Sequence, residues 1–234
     1  MTTNPSLSVE QLSETQAAAA AKSETRAKPA ERKQAAMPVL EQLFGLYPHL
    51  FGAEFLPLKR GIFQDLLERH PDLFQRDSLK AALSVHARST PYLQCVAAGK
   101  ARHDLDGTAV EAVAPEHVYQ AVVELHRRRQ VRTKEDLRPK LRARLSAAFE
   151  ASGLSRQDYL ARVMPADEAM AAVLDAALGE SAERIARQEA LNRAFEASGK
   201  SARDFAGMYG VHERDVIKAA LACKRRAQAT AATA

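Results

Sequence analysis

Apolar positions along the chain fall into blocks of helical period, separated by proline, glycine and aspartate. Residues 1–36 hold almost no large apolar side chain. They are mainly Ser, Thr, Lys and Glu around an alanine run at 17–21, too little apolar surface to offset the entropy of ordering, so they read as a disordered tail. From about Met37, the positions of Val39, Leu40, Leu43, Phe44 and Leu46 have helical spacing, and Tyr47-Pro48 ends that helix because proline disfavours α geometry in the residue before it. His49, Leu50 and Phe51 continue as a loop. Pro57 suits the first turn of another helix, whose buried stripe is Ile62, Phe63, Leu66 and Leu67 and whose start exposes Lys59 and Arg60. Asp77 or Ser78 can cap the next helix, in which Leu79, Ala82, Leu83 and Val85-His86 alternate between core and surface, with Lys80, Ser84 and Arg88 on its polar side. Ser89 or Thr90 caps a short helix with Pro91 at its first position, and Gly99 ends it. Residues 102–105 and 108–113 predict two strands joined through Asp106-Gly107. Pro115 then opens a helix with Val118, Ala121, Val122 and Leu125 as its stripe.

The last third of the chain repeats itself. Ala148-Phe149-Glu150-Ala151-Ser152-Gly153 recurs as Ala194-Phe195-Glu196-Ala197-Ser198-Gly199, an offset of 46 residues. Each copy is followed by a serine with a carboxylate three positions on, Ser155…Asp158 and Ser201…Asp204, which resembles a capping box. Two copies of a helix, a glycine stop and a second helix predict a small all-α module packed on itself. Ala206, Gly210, Val211 and Val216 of the second copy also stand where a helix-turn-helix places its small, turn and buried residues. The first copy departs from that pattern at Leu160 and Met164.

Pro139 interrupts the helical pattern, and the domain boundary falls between Gln130 and Lys140. The organisation expected is a disordered tail over 1–36, a mixed domain over 37–130, a basic linker or helix over 131–145, a helical module over 146–226 and a disordered tail over 227–234. The fold class is α+β, mainly α.

Charge refines this picture by its location. The formal net charge is +5 with a pI near 9.3, which permits a polyanion partner without requiring one. Residues 37–130 carry 11 basic and 11 acidic side chains, so nucleic acid must be held there by a local patch. Between Arg127 and Arg144, nine Lys/Arg stand against Glu135 and Asp136, and Arg127, Arg128, Arg129 and Arg132 have the footprint of an auxiliary phosphate-contacting arm. No apolar run approaches the roughly 20 residues that span a bilayer. Cys95 and Cys223 lie far apart with no CxxC or His-rich context, so no metal site is indicated, and they read as reduced thiols of a cytoplasmic protein.

No phosphate-binding loop, dinucleotide fingerprint, nucleophile elbow or zinc-protease motif is present, which favours a binding module over an enzyme. No cofactor is implied. The aspartates beside His103 suit a tight turn, a simpler role than metal or acid–base work. Lys59, Lys80 and Arg102 come from three separate elements and, on one face, would meet backbone phosphates. Tyr92 is either half-buried core or a stacking surface for a base. Ser89 and Thr90 would add hydroxyls and free N–H groups at a helix start. Read singly, each cation is a solvated charge; their convergence would make the site. The competing reading is duplex-DNA binding through the second repeat, whose recognition helix begins with His212-Glu213-Arg214-Asp215, two acids poorly placed for phosphates. A third is that the repeats contact another protein.

The order Pro57-Leu58-Lys59-Arg60-Gly61-Ile62, Ala82-Leu83, Ser89-Thr90-Pro91-Tyr92-Leu93 and Arg102-His103-Asp104-Leu105-Asp106-Gly107 resembles the ProQ/FinO family of bacterial RNA-binding proteins over roughly residues 37–130. The resemblance implies a helical domain with a short β-hairpin. It also implies an RNA chaperone that binds terminator-type hairpins with a 3′ single-stranded end, stabilises small or antisense RNAs and promotes RNA–RNA pairing in post-transcriptional control. Its basic and aromatic positions fall on Lys59, Arg76, Lys80, Tyr92 and Arg102. Three positions depart from the family's pattern: Leu56 replaces an arginine, His86 an aromatic and Cys95 a glycine.

Overall fold

The computed structural model describes residues 29–52 and 55–233, so most of the N-terminal tail expectation lies outside the described residues. Two compact units emerge. The first comprises the described residues up to 92 together with 103–110, and the second comprises 93–102 with the residues from 111 onward.

In the first unit, α1 (Pro29–Leu46) packs along α4 (Arg76–Ala87), burying Leu40, Leu43, Leu79 and Ala82. Each fully buried leucine contributes about 1.5–3 kcal/mol relative to exposure. Helix α1 begins eight residues ahead of the expected Met37 and accommodates Pro38 in its interior. Alanine extends the helix there, and Ala36 is buried although it carries too little apolar surface to mark a stripe. Residues 48–51 form a one-turn helix, α2 (Pro48–Phe51), in place of the expected loop, with Leu50 and Phe51 buried.

Helix α3 (Ile62–Arg69) starts five residues after Pro57, contrary to the placement of Pro57 in its first turn. The chain at 57–59 is instead extended. Leu58 forms a parallel bridge with His103, the Lys59 N–H donates to the His103 carbonyl at 2.8 Å, and the His103 N–H donates to the Pro57 carbonyl at 2.7 Å. A tertiary partner overrides the local proline rule here. Helix α4 is entered from Gln75 with no side-chain cap, so neither Asp77 nor Ser78 has the capping role. Ser89 does cap α5 (Thr90–Ala97): its hydroxyl oxygen accepts from the Tyr92 N–H at 3.2 Å.

The hairpin is shorter than expected, pairing β1 (Arg102–His103) with β2 (Ala109–Glu111). The carboxylate of Asp104 takes over the turn, accepting from the N–H groups of Asp106 and Thr108 at 3.0 and 2.9 Å. Gly107 lies at φ +77°, and a Cβ there would stand 2.8 Å from the His49 ring. His49 in turn donates to the Leu105 carbonyl at 3.2 Å.

The second unit is helical apart from strand residues of the hairpin. It contains α6 (Pro115–Gln130), α7 (Arg138–Ser152), α8 (Arg156–Arg162), α9 (Glu168–Ser198), α10 (Ala202–Tyr209) and α11 (Glu213–Thr233). Helix α7 packs against α6 and α9, and α11 against α9 and α10. Pro139 opens α7 and does not interrupt a helix, and α7 runs through the expected 145/146 boundary. The Gln130 side chain organises the 131–137 turn, donating to the Glu135 carbonyl at 2.8 Å and accepting from the Leu137 N–H at 3.1 Å. Helix α11 continues to Thr233 where a disordered tail was expected from 227, because its alanines favour helix without forming a visible stripe.

The two repeat copies close alike. Gly153 and Gly199 both end their helices in the left-handed region. Ser155 accepts from the Asp158 N–H at 3.1 Å and Ser201 from the Asp204 N–H at 3.2 Å. Phe149 meets Tyr159 edge to face at 5.2 Å, as Phe195 meets Phe205 at 5.5 Å. Helix α9 closes the first copy with its N-terminal half and opens the second with its C-terminal half. Among the described residues no helix is long and apolar enough to cross a membrane.

Candidate nucleic-acid interface

Helix α4 has two chemically opposite faces. Leu79, Ala82 and His86 point into the first unit, whereas Arg76 and Lys80, one turn apart, line an open cleft of about 470 Å³ with Phe63, Asp77 and Leu83. The Arg76 guanidinium lies 5.7 Å from the centre of the Phe63 ring, close enough for a cation–π contact that leaves its N–H groups free. Among the described residues Arg76, Lys80 and Arg88 enter no ion pair. Arg88 is exposed at the helix end. Two adjacent cations with unspent donors are suited to phosphate oxygens.

Lys59 differs. Its Nζ is 2.8 Å from Asp65, and that hydrogen bond holds the ammonium above its ordinary range. Tyr92 is 8% exposed, and its hydroxyl accepts from the Leu58 N–H at 3.1 Å. Of the two roles open to it in the sequence, the structure gives Tyr92 the core one: the ring is packed inside and the hydroxyl anchors the extended segment that carries Lys59. Its neighbour His86 contacts Phe51 at 4.7 Å, stacks on Phe55 at 5.1 Å and meets Tyr92 edge-on at 5.1 Å. Burial pushes His86 down to about 4, and its Nε2 finds no hydrogen-bond partner among the described residues. The Ser89 hydroxyl is occupied in capping, while Thr90 is exposed at the start of α5.

Lys59, Arg76, Lys80, Arg88, Ser89, Thr90 and Tyr92 thus share the first unit, whereas Arg102 belongs to the second. Its side chain is 13% exposed, with Nε 3.8 Å from Glu111. The four arginines expected to form an arm divide in two. Arg127 and Arg128 both bind Glu124, at 2.8 and 2.7 Å, and their hydrogen bonds push that carboxyl down to about 2. Arg129 is exposed at the end of α6 and Arg132 in the turn that follows, and neither enters an ion pair among the described residues.

Sequence reasoning missed the bidentate contact of Arg69 with Asp106, at 2.7 and 3.1 Å, which ties α3 to the hairpin turn. The Asp-Gly turn was visible, but nothing local marks a partner 37 residues away. In the second repeat, Ala206 and Val216 are buried and Gly210 stands at φ +66°, as a helix-turn-helix requires, but Val211, expected among its buried positions, is exposed. Glu213 and Asp215 occupy the first turn of α11, exposed, where a phosphate would be expected.

Comparison with known proteins adds three findings. Residues 33–138 match the model described as ProQ/FINO family. An RNA chaperone ProQ of Shewanella pealeana is 41% identical over 91 residues, covering 37% of this chain and 43% of the relative. One of Aeromonas salmonicida is 38% identical over 95 residues, covering 39% and 45%. The chain therefore spans under half the length of these curated relatives. Among solved structures, a FinO-like RNA chaperone from Neisseria meningitidis is 29% identical and covers 38% of this chain and 92% of its own, with a TM-score of 0.34.

Proposed function

We propose that this chain binds structured RNA and acts as an RNA chaperone in the cytoplasm, a reading supported by the match of residues 33–138 to the ProQ/FINO family model. Its preferred partners in this reading are small RNAs and mRNA 3′ ends bearing a terminator-type hairpin with a single-stranded tail. The observation that carries the reading is the pair Arg76 and Lys80, which line one cleft beside Phe63 with no carboxylate bound to either. Lys59, Arg88 and Thr90 of the first unit supplement this grip; in the second unit Arg102 is a further RNA contact, and Arg127, Arg128, Arg129 and Arg132 act as an auxiliary basic arm. Ser89 and Tyr92 support the grip from within the fold. Domain 37–130 holds the RNA, while the helical module over 146–226 is open to a protein partner.

Phosphate contacts position a duplex without reading its sequence, so selection must come from helix form and strand ends. Competition between a terminator hairpin and a DNA duplex of the same stem, at fixed salt, tests this. The hairpin displaces the duplex at concentrations at least tenfold lower if the reading holds. Equal competition, or preference for DNA, would return the function to the second repeat. An increased annealing rate of complementary RNAs in the presence of the chain tests the chaperone activity.

A further inference from the structure

Within the second unit, two depressions adjoin along the line where α6 faces α7. One, of about 630 Å³, is bounded by Pro115 and Val118 of α6; the other, of about 290 Å³, by Val122, His126 and Arg129 of the same helix. These α6 positions follow one another at intervals of three or four, so they form a single face. Arg144 of α7 is a wall of both depressions, so the two adjoin there and together make up the groove. From Pro115 to Arg129 it runs about 21 Å at 1.5 Å per helical residue.

The lining has a one-sided chemistry. Arg129, Lys140, Arg144 and Arg162 stand along it, and no aspartate or glutamate contributes, although the chain carries 29 of them. Arg129, Arg144 and Arg162 are exposed and enter no ion pair among the described residues. Lys140 is 2.8 Å from Glu135 in an exposed pair, the kind that a competing phosphate displaces at little cost. The floor of the larger depression is rich in alanine, with Ala147, Ala148 and Ala151 from α7, whereas the smaller has Val122, Leu137 and Leu141; no Phe, Tyr or Trp lines either, and His126 is the one aromatic ring.

We propose that this groove is a second RNA site, which holds single-stranded RNA by its phosphate backbone without reading sequence. A row of cations uninterrupted by acids suits an evenly charged strand. With no Phe, Tyr or Trp platform and a single imidazole, most of the stacking that gives single-strand sites their base preferences is missing, so strands of different sequence should bind alike. A partner helix would need deep pockets for large apolar anchors, which the alanine floor of the larger depression does not offer. The inference rests on the RNA reading above and shares with it only Arg129 of the auxiliary arm.

The test uses the full chain with decauridine and, separately, a blunt hairpin, followed by fluorescence anisotropy at several salt concentrations. Arg144→Ala/Arg162→Ala is expected to weaken decauridine binding about tenfold and to lower the slope of log affinity against log salt by about 1.4. Hairpin affinity and melting temperature should stay unchanged, since both side chains are exposed. Decaadenosine should bind within a few-fold of decauridine. Decauridine binding by the double variant at wild-type strength would overturn the proposal, as would tighter, Arg144-dependent binding of a poly-glutamate peptide, which would assign the groove to a protein. If the wild-type chain binds the hairpin but not decauridine, the groove proposal alone fails. If it binds neither, both readings fail.

Discussion

The cations of α4 and those near the hairpin start from the same residue types and end in opposite states. Near the hairpin each faces a carboxylate: Lys59 with Asp65 at 2.8 Å, Arg69 with Asp106 at 2.7 Å, and Arg102 with Glu111 at 3.8 Å. On α4, Arg76 and Lys80 face an open cleft and a phenyl ring. A paired cation is held in place but has part of its field cancelled, so an incoming phosphate must first displace the carboxylate. An unpaired one offers its full charge. Cations that carry a family motif and cations free to bind are therefore different sets, and only Lys80 and Arg76 belong to both.

The comparison requires α4 to be a rigid platform, and the largest expected effect tests that. Burial holds His86 at about 4 in the fold against an ordinary 6.5. Between those values the unfolded chain binds a proton that the folded chain does not, so stability falls as pH drops from about 6.5 to 4 and the His86 contribution levels off below. The loss is about 3 kcal/mol as an order of magnitude. His86→Phe, which keeps the aromatic packing with Phe51 and Phe55, should flatten denaturant-derived stability across that window. An unchanged pH profile would mean that the ring is not buried neutral.

Next in size is Tyr92→Phe. Removing the hydroxyl takes an acceptor from the buried Leu58 N–H and should cost about 1–3 kcal/mol by urea denaturation. If RNA affinity falls while stability does not, the hydroxyl has a direct contact role in place of its anchoring one. The double substitution Arg76→Ala/Lys80→Ala should weaken hairpin binding at least tenfold and reduce the salt slope by about 1.8, against about threefold for Lys59→Ala or Arg102→Ala alone. The reverse ranking in filter binding would erase the distinction between paired and unpaired cations. The smallest effect runs the other way. Glu124→Gln frees Arg127 and Arg128 from the carboxylate they share and should strengthen RNA binding about threefold with a steeper salt dependence.

Helix existence was legible because the apolar stripes of α3, α4 and α6 repeat at three and four, and both glycine stops with their serine caps could be read from the duplicated motif. Alanine-rich helix ends were not. Pro29 to Ala36 and the residues of α11 beyond Arg226 look like tails because alanine supplies propensity without area. Pro57 misled for another reason: a local preference for helix starts was outweighed by hydrogen bonds to His103, 46 positions on. The same limit governs the site. Composition reveals where arginine and lysine lie, yet whether a given cation is free depends on carboxylates brought up by folding, such as Asp106 against Arg69. Tyr92 shows the converse, since its amphipathic character fits a stacking surface and a core position equally until its hydroxyl partner is known.

The most direct test of the claim that unpaired α4 cations make the primary contact is an NMR titration of the isotope-labelled chain with a terminator hairpin, observing arginine and lysine side-chain resonances. The account predicts that Arg76 and Lys80 shift at the lowest RNA ratios, ahead of Lys59 and Arg102. Saturating shifts at Lys59 and Arg102 with Arg76 and Lys80 unmoved would contradict it.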